Sequence, residues 1–170
     1  MNWFISENYL KDKTPITRNI DAADITPFIY TASDMYIKDI LGSYFYDDII
    51  DKYNSQSLDP DETVLVSLIQ PTVAWYAASF AVKGVHYSLR NKGIQLQDGE
   101  NSTAANQSEV VMTAKDYLQT GDFYAERLRK YLILNKDLFT KFTDKLNTQS
   151  CLTDITPRKD DGYNNDMLMI

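Results

Sequence analysis

"SLDPDETVLVSLIQPTVAWYAASFAV", residues 57–82, decides how the rest of the chain is read. Asp59 stands where a side chain can cap the free amides of a helix start, Pro60 fits the first helical position, and Glu62 can reach back as in a capping box. The signal predicts a long helix running from there to about Arg90, with Pro71 as a kink. Val64, Leu65, Leu68, Trp75, Tyr76 and Phe80 cover much of its circumference. A helix of roughly 30 residues extends about 45 Å, so neighbours must wrap it. The fold class that follows is mainly α, a helical bundle around long antiparallel helices.

Size and charge narrow the possibilities. With 170 residues, 44% of them hydrophobic, the chain suits one domain that buries most of its apolar surface. We read residues 1–146 as that domain and 147–170 as an extended C-terminal tail. Seventeen basic residues against 24 acidic ones give a formal charge of −7, and Lys and Arg gather only in "ERLRKY" and "PRKDD". Such a balance argues against a surface that grips nucleic acid by neutralising phosphates. Cys151 is the only cysteine, so no intrachain disulfide can form and a reducing interior is the natural compartment. "MNWFISENYL" lacks the basic and apolar regions of a secretion signal. The apolar run "VAWYAASFAV" is about half of what a membrane crossing requires, so a soluble protein is expected.

The flanking segments supply the wrapping helices. After a short helical turn at residues 6–11, "KTPITRNID" reads as an extended arm leading to a helix start at Asp21. Ile25, Ile29, Ala32, Tyr36 and Ile40 follow at helical spacing, and Gly42 sits where a terminating glycine would. Pro27 either kinks the early turns or marks the true first turn after Thr26. A second segment, "SYFYDDIIDKY", starts at Ser43 and forms one face from Tyr46, Ile49, Ile50 and Tyr53. From about Asn106, Val110, Ala114, Tyr117, Gly121, Tyr124, Leu128 and Leu132 keep one phase. Gly121 therefore reads more as a close helix contact than as a boundary, a break in "QTGD" being the alternative. A short last helix carries Leu138, Phe139, Phe142 and Leu146. Beyond it the tail has no sustained period and ends on Met167, Leu168, Met169 and Ile170.

Between the long helices lies "LRNKGIQLQDGENSTAANQ", residues 89–107. "GIQLQ" alternates with period two, "DG" is a tight-turn signal, and "ENSTA" can return as a strand. This predicts a projecting β-hairpin over about residues 91–105, with a plain loop as the alternative. An isolated hairpin is marginal in water, and Ile94 and Leu96 have little local core to enter. Gly93, Ile94, Leu96, Asp98 and Gly99 are accordingly candidate partner-contact residues. Met167, Leu168, Met169 and Ile170 form a second candidate set, an apolar cluster ending a polar segment; a loose chain end is the bland alternative.

Catalytic constellations are missing from the pattern. One His and one Cys cannot build an ordinary structural zinc site in a single copy, and no P-loop, GxGxxG, GxSxG or HExxH pattern occurs. Asp47 and Asp51 lie one turn apart beside Asp48 and could meet a cation, but without a partner cluster a solvated helix face is the better reading. His86, next to Tyr87, could act as a general base; with no evident nucleophile it reads as a packed helix residue. The 12 tyrosines, with Trp3 and Trp75, could suggest base stacking. Their helical phase and the acidic balance favour core and protein interface. Neither an enzyme nor a cofactor or metal site is expected.

Several segments, taken in order and spacing, carry a resemblance: "TPI" at 14–16, "NID" at 19–21, "DILG" at 39–42, "NKGIQLQDGENST" at 91–103 and "FYAERLRKYL" at 123–132. Over roughly residues 4–142 the chain resembles the head-to-tail connector proteins of tailed bacteriophages, also called adaptor or neck ring proteins, particularly those of phages of Bacteroidales hosts, including crAss-like phages. The resemblance implies a subunit that assembles into a ring, usually dodecameric, beneath the portal protein and above the next neck or tail ring protein. The genome would pass through the channel without specific binding, and the site of action would be the virion neck, assembled in the host cytoplasm with no membrane involved. A hairpin that the monomer cannot stabilise gains a neighbour in such a ring. The tail ending "DMLMI" lies outside the family pattern. The alternative from the residues alone is an intracellular helical protein–protein interaction module without a virion role.

Overall fold

The helix that begins after Asp59 is the spine of the fold. In the computed structural model, residues 3–90, 93–96 and 107–142 are described, with backbone alone at 86–90 and 93–96. In chain order these form α1 (Glu7–Lys13), α2 (Ala22–Ala32), a π-helical turn (Ser33–Ile37), α3 (Lys38–Leu41), α4 (Ser43–Asn54) and α5 (Pro60–His86). Strands β1 (Tyr87–Arg90) and β2 (Gly93–Leu96), helix α6 (Gln107–Leu134) and a 3-10 turn (Lys136–Leu138) follow. The described residues are mainly helical.

Local chemistry starts α5. The Glu62 amide donates to Asp59 Oδ1 at 2.7 Å, and the Asp59 amide donates to Glu62 Oε2 at 3.1 Å, a reciprocal capping box that satisfies donors the first turn leaves free. Pro60 opens the helix, and Pro71 stands within it without ending it. By length and composition α5 could cross a membrane. Leu65, Ile69, Val73 and Tyr76 are instead buried among the other helices, so its apolar surface is the bundle core. Ala74, Ala77, Ala78 and Ala81 are fully buried as well, and their small side chains let neighbouring helices approach closely. Antiparallel α6 is the main neighbour and runs unbroken through Gly121.

On another side of α5 lies the unit formed by α2, the π turn and α3. The Asp21 carboxylate accepts the Ala23 amide, so the helix starts before Pro27 and the proline sits inside it. Ile25, Ile29 and Ala32 are buried, as the 3.6-residue phase predicts. The π turn then widens the spiral and shifts the phase: Ile37, Ile40 and Leu41 are buried after it, while Tyr36 is half-buried. Gly42 joins this unit to α4. Its φ of 82° lies in the left-handed region, its amide donates to the Lys38 carbonyl at 2.8 Å, and its own carbonyl accepts the Tyr46 amide at 2.9 Å. One residue thus ends one helix and starts the next, a conformation that favours glycine.

One expectation needs correction. Helix α5 stops at His86 instead of near Arg90, because residues 87–90 leave it to form β1. "GIQL" pairs with "YSLR", with Tyr87 opposite Leu96 and Leu89 opposite Ile94, while the expected pairing across Asp98 and Gly99 to "ENSTA" falls outside the described residues. Strands alternate faces, so this register places Tyr87, Leu89, Ile94 and Leu96 on one side of the ladder. Ser88, Arg90, Gly93 and Gln95 are on the other. Residues 97–106 and 143–170, with the expected turn at Asp98–Gly99, Leu146 and the tail, lie outside the described residues. After α6, the expected short helix begins as a 3-10 turn: Leu138 is exposed, whereas Phe139 and Phe142 are buried against Phe45.

Candidate interaction surface

Of the polar side chains that the sequence singles out, Asp48 is engaged in holding the bundle. Lys52 on α4 pairs with Asp48 at 3.4 Å and with Glu62 of the capping box, and Lys141 pairs with Asp48 from the segment after α6. Burial raises the cost of a charge on Asp48, but the ammonium groups of Lys141 and Lys52 outweigh it and hold its carboxyl below the usual value. The Glu62 carboxylate, aided by Asp48, raises Lys52. This network ties α4 to the start of α5 and to the end of the chain's described part. It accounts for Asp48 without a cation. Among the described residues, no group of three or more His, Cys, Asp or Glu side chains is placed to hold a metal.

Several aromatic residues are likewise structural. Tyr76, buried in the middle of α5, donates its hydroxyl to Asp122 Oδ1 at 2.7 Å, and Tyr36 stacks on its ring with centroids 3.7 Å apart. Burial and then the Asp122 carboxylate push the Tyr76 phenol above its ordinary value. Tyr46 is pushed up to about 12, first by burial. Phenols shifted in this direction stay protonated at neutral pH and serve as donors, not as acids. Trp75 meets Tyr117 edge to face across the α5–α6 contact. His86 closes α5, and its side chain lies outside the described atoms.

One exposed apolar surface lies on α6. Its buried side carries Val110, Ala114, Gly121, Ala125, Leu128 and Leu132. On the opposite side Met112, Phe123 and Leu134 are 69%, 60% and 83% exposed. Val111 and Met112 also wall a shallow recess at the start of the helix with Gln107, Ser108 and Lys115. Scattered exposed apolar residues are ordinary, but these three recur at 11-residue intervals. Eleven residues are three helical turns plus about 20°, so the three share one line. Arg127 and Lys130 lie on that line between Phe123 and Leu134, both exposed.

The residues singled out from sequence fall elsewhere. Gly93, Ile94 and Leu96 belong to β2, where the backbone register is described. Asp98, Gly99, Met167, Leu168, Met169 and Ile170 lie outside the described residues. The α6 line lies out of the core phase, where single exposed apolar residues are ordinary. Its own signal was the 11-residue recurrence.

No curated protein and no solved structure matches the chain. One family model does, over residues 37–151, which include all of α4, α5 and α6 and the Tyr76–Gly121 contact between the long helices. That span is more than half of the sequence, and on it the chain belongs to DUF6712, a family of unknown function.

Proposed function

We propose that this chain is a structural, non-enzymatic virion protein, the head-to-tail connector subunit of a tailed bacteriophage. Copies of it would form a ring between the portal and the next neck or tail component, with the genome passing through. The observation that carries the reading is the set of connector-like segments in their order and spacing. Two of them fall on features with clear physical roles. "DILG" ends on the left-handed Gly42, and "FYAERLRKYL" supplies Ala125, Leu128 and Leu132 to the core while presenting Phe123, Arg127 and Lys130 outward. A side of α6 that the core does not use suits a subunit that assembles. The hairpin, with its apolar side of Tyr87, Leu89, Ile94 and Leu96, projects to a neighbour in this reading, and the tail docks on another ring member. The net charge of −7 suits a conduit that does not hold DNA.

The test is reconstitution with the portal protein of the same phage, read by native mass and by imaging of the particle neck. Expected is a closed ring on the portal, formed by a subunit that is monomeric or weakly associated alone, because heterologous contacts close only with the right geometry and a partner ring can template it. Purified particles that lack the chain, or that hold it only as a closed dimer, would overturn the reading. Absence from particles would favour the helical interaction module, which the exposed α6 line also suits.

A further inference from the structure

The exposed line on α6 needs an occupant, and a segment of this chain has the matching chemistry. Met112, Phe123 and Leu134 succeed one another every ~16 Å along the helix, a stripe of about 33 Å from first to last. Its charge between Phe123 and Leu134 is positive: Arg127 takes no part in the Glu126 pairs that engage Arg129 and Lys130 at 3.9 Å. Residues 160–170, "DDGYNNDMLMI", combine three aspartates and no Lys or Arg with Tyr163, Met167, Leu168, Met169 and Ile170. Eleven extended residues also span roughly 33 to 36 Å. Length agrees along the stripe, and sign of charge agrees over its Phe123–Leu134 half, the half that Asp166 and Met167–Ile170 would occupy, whereas Asp116 lies exposed on the Met112–Phe123 half.

We infer that residues 160–170 of one copy lie along the outer stripe of α6 of the next, with Met167–Ile170 against the Phe123–Leu134 end and Asp166 facing Arg127 and Lys130. The stripe and the segment are different surfaces of the same chain. A contact between them is heterologous, so each copy donates one segment and accepts one, and the arrangement repeats around a ring. That the donor is a second copy rests on the ring reading above. Apolar anchors set in a helix groove, with charge pairs beside them, are an ordinary mode of recognition for an extended or helical segment.

The experiment places a benzophenone amino acid at position 123 of the full-length chain, assembles a mixture of unlabelled and 15N-labelled copies on the portal protein and irradiates it, with cross-linked peptides identified by mass. Expected are mixed light–heavy cross-links joining position 123 to residues 163–170. In the full-length chain carrying Leu168→Asp and Met169→Asp these should fall by about tenfold or more, because each buried carboxylate would lack a partner. Cross-links confined to one copy, cross-links to the folded surface of another copy, or none at all would overturn the inference. A portal-bound ring whose position-123 cross-links lie elsewhere would sink this inference alone. Mixed cross-links from a chain that never enters particles would sink the connector reading alone.

Discussion

At Gly121 two effects of opposite sign meet. Replacing a glycine by alanine in an open helix gains about 1 kcal/mol. A Cβ at Gly121, however, would stand 2.7 Å from a ring carbon of Tyr76. That ring is held by the Tyr36 stack at 3.7 Å and by the hydrogen bond to Asp122 at 2.7 Å, so it cannot turn aside without losing both. Overpacking of this kind costs about 1–3 kcal/mol, which exceeds the gain. Gly121→Ala should lower the urea midpoint of the isolated chain at an unchanged slope. A higher midpoint would show that the ring yields and that the glycine is not a close contact. Tyr76→Phe tests the same site by subtraction. Asp122 is exposed and stays hydrated when the hydroxyl goes, so the loss should be that of one ordinary hydrogen bond, about 0.5–1.5 kcal/mol; a larger deficit would mean that the pair is coupled to the stacking.

At the scale of elements, stability should carry the pH signature of the network between α4, the start of α5 and Lys141. Asp48 has its folded value lowered, so its contribution is present above the ordinary carboxylate range and is lost as pH falls through the lowered value. Lys52 is raised, and its contribution is present below the ordinary lysine value and is lost as pH rises through the raised one. Lys141→Met should therefore cost on the order of 1 kcal/mol or less at neutral pH, since the pair is partly solvated, and the deficit should vanish in acid, where Asp48 is protonated in both proteins. A deficit independent of pH would assign the effect to the lysine stem. The start of α5 was legible because a capping box is written within four residues, and Gly42 because a terminating glycine is a local signal. The π turn at Ser33–Ile37 was not, because an extra residue in one turn leaves no mark until the buried phase is seen to slip from Tyr36 to Ile37. Strand β1 was not legible for a related reason: nothing local shows that "YSLR", still in helical phase, will leave the helix and pair with "GIQL". The α6 stripe was written in the sequence at Met112, Phe123 and Leu134, but only a known core face reveals that all three point away from it.

For the whole molecule, the question is which apolar surfaces belong to folding and which to assembly. Leu128 is fully buried and Phe123 is not, although they lie five residues apart on one helix. Phe123→Asp with Leu134→Asp should then leave the urea midpoint of the isolated chain nearly unchanged, within about 0.5 kcal/mol, while removing association. A marked loss of stability in the isolated chain would mean that the stripe is covered by its own subunit. The hairpin poses the same question from the other end of α5. Its register gathers Tyr87, Leu89, Ile94 and Leu96 on one side, and a two-stranded ladder with one apolar side is marginal unless something covers that side. If a neighbouring ring member covers it, Ile94→Asp with Leu96→Asp puts two carboxylates into an interface where they lack partners. Assembly on the portal should then fail, while far-ultraviolet circular dichroism and thermal unfolding of the isolated chain stay as in the parent. If the bundle itself covers it, the same substitutions must lower the melting temperature of the isolated chain. Thermal unfolding of the two chains side by side, read with their yield of portal-bound rings, decides between these, and equal loss in both would place Ile94 and Leu96 in the monomer core and remove the hairpin from the assembly surface.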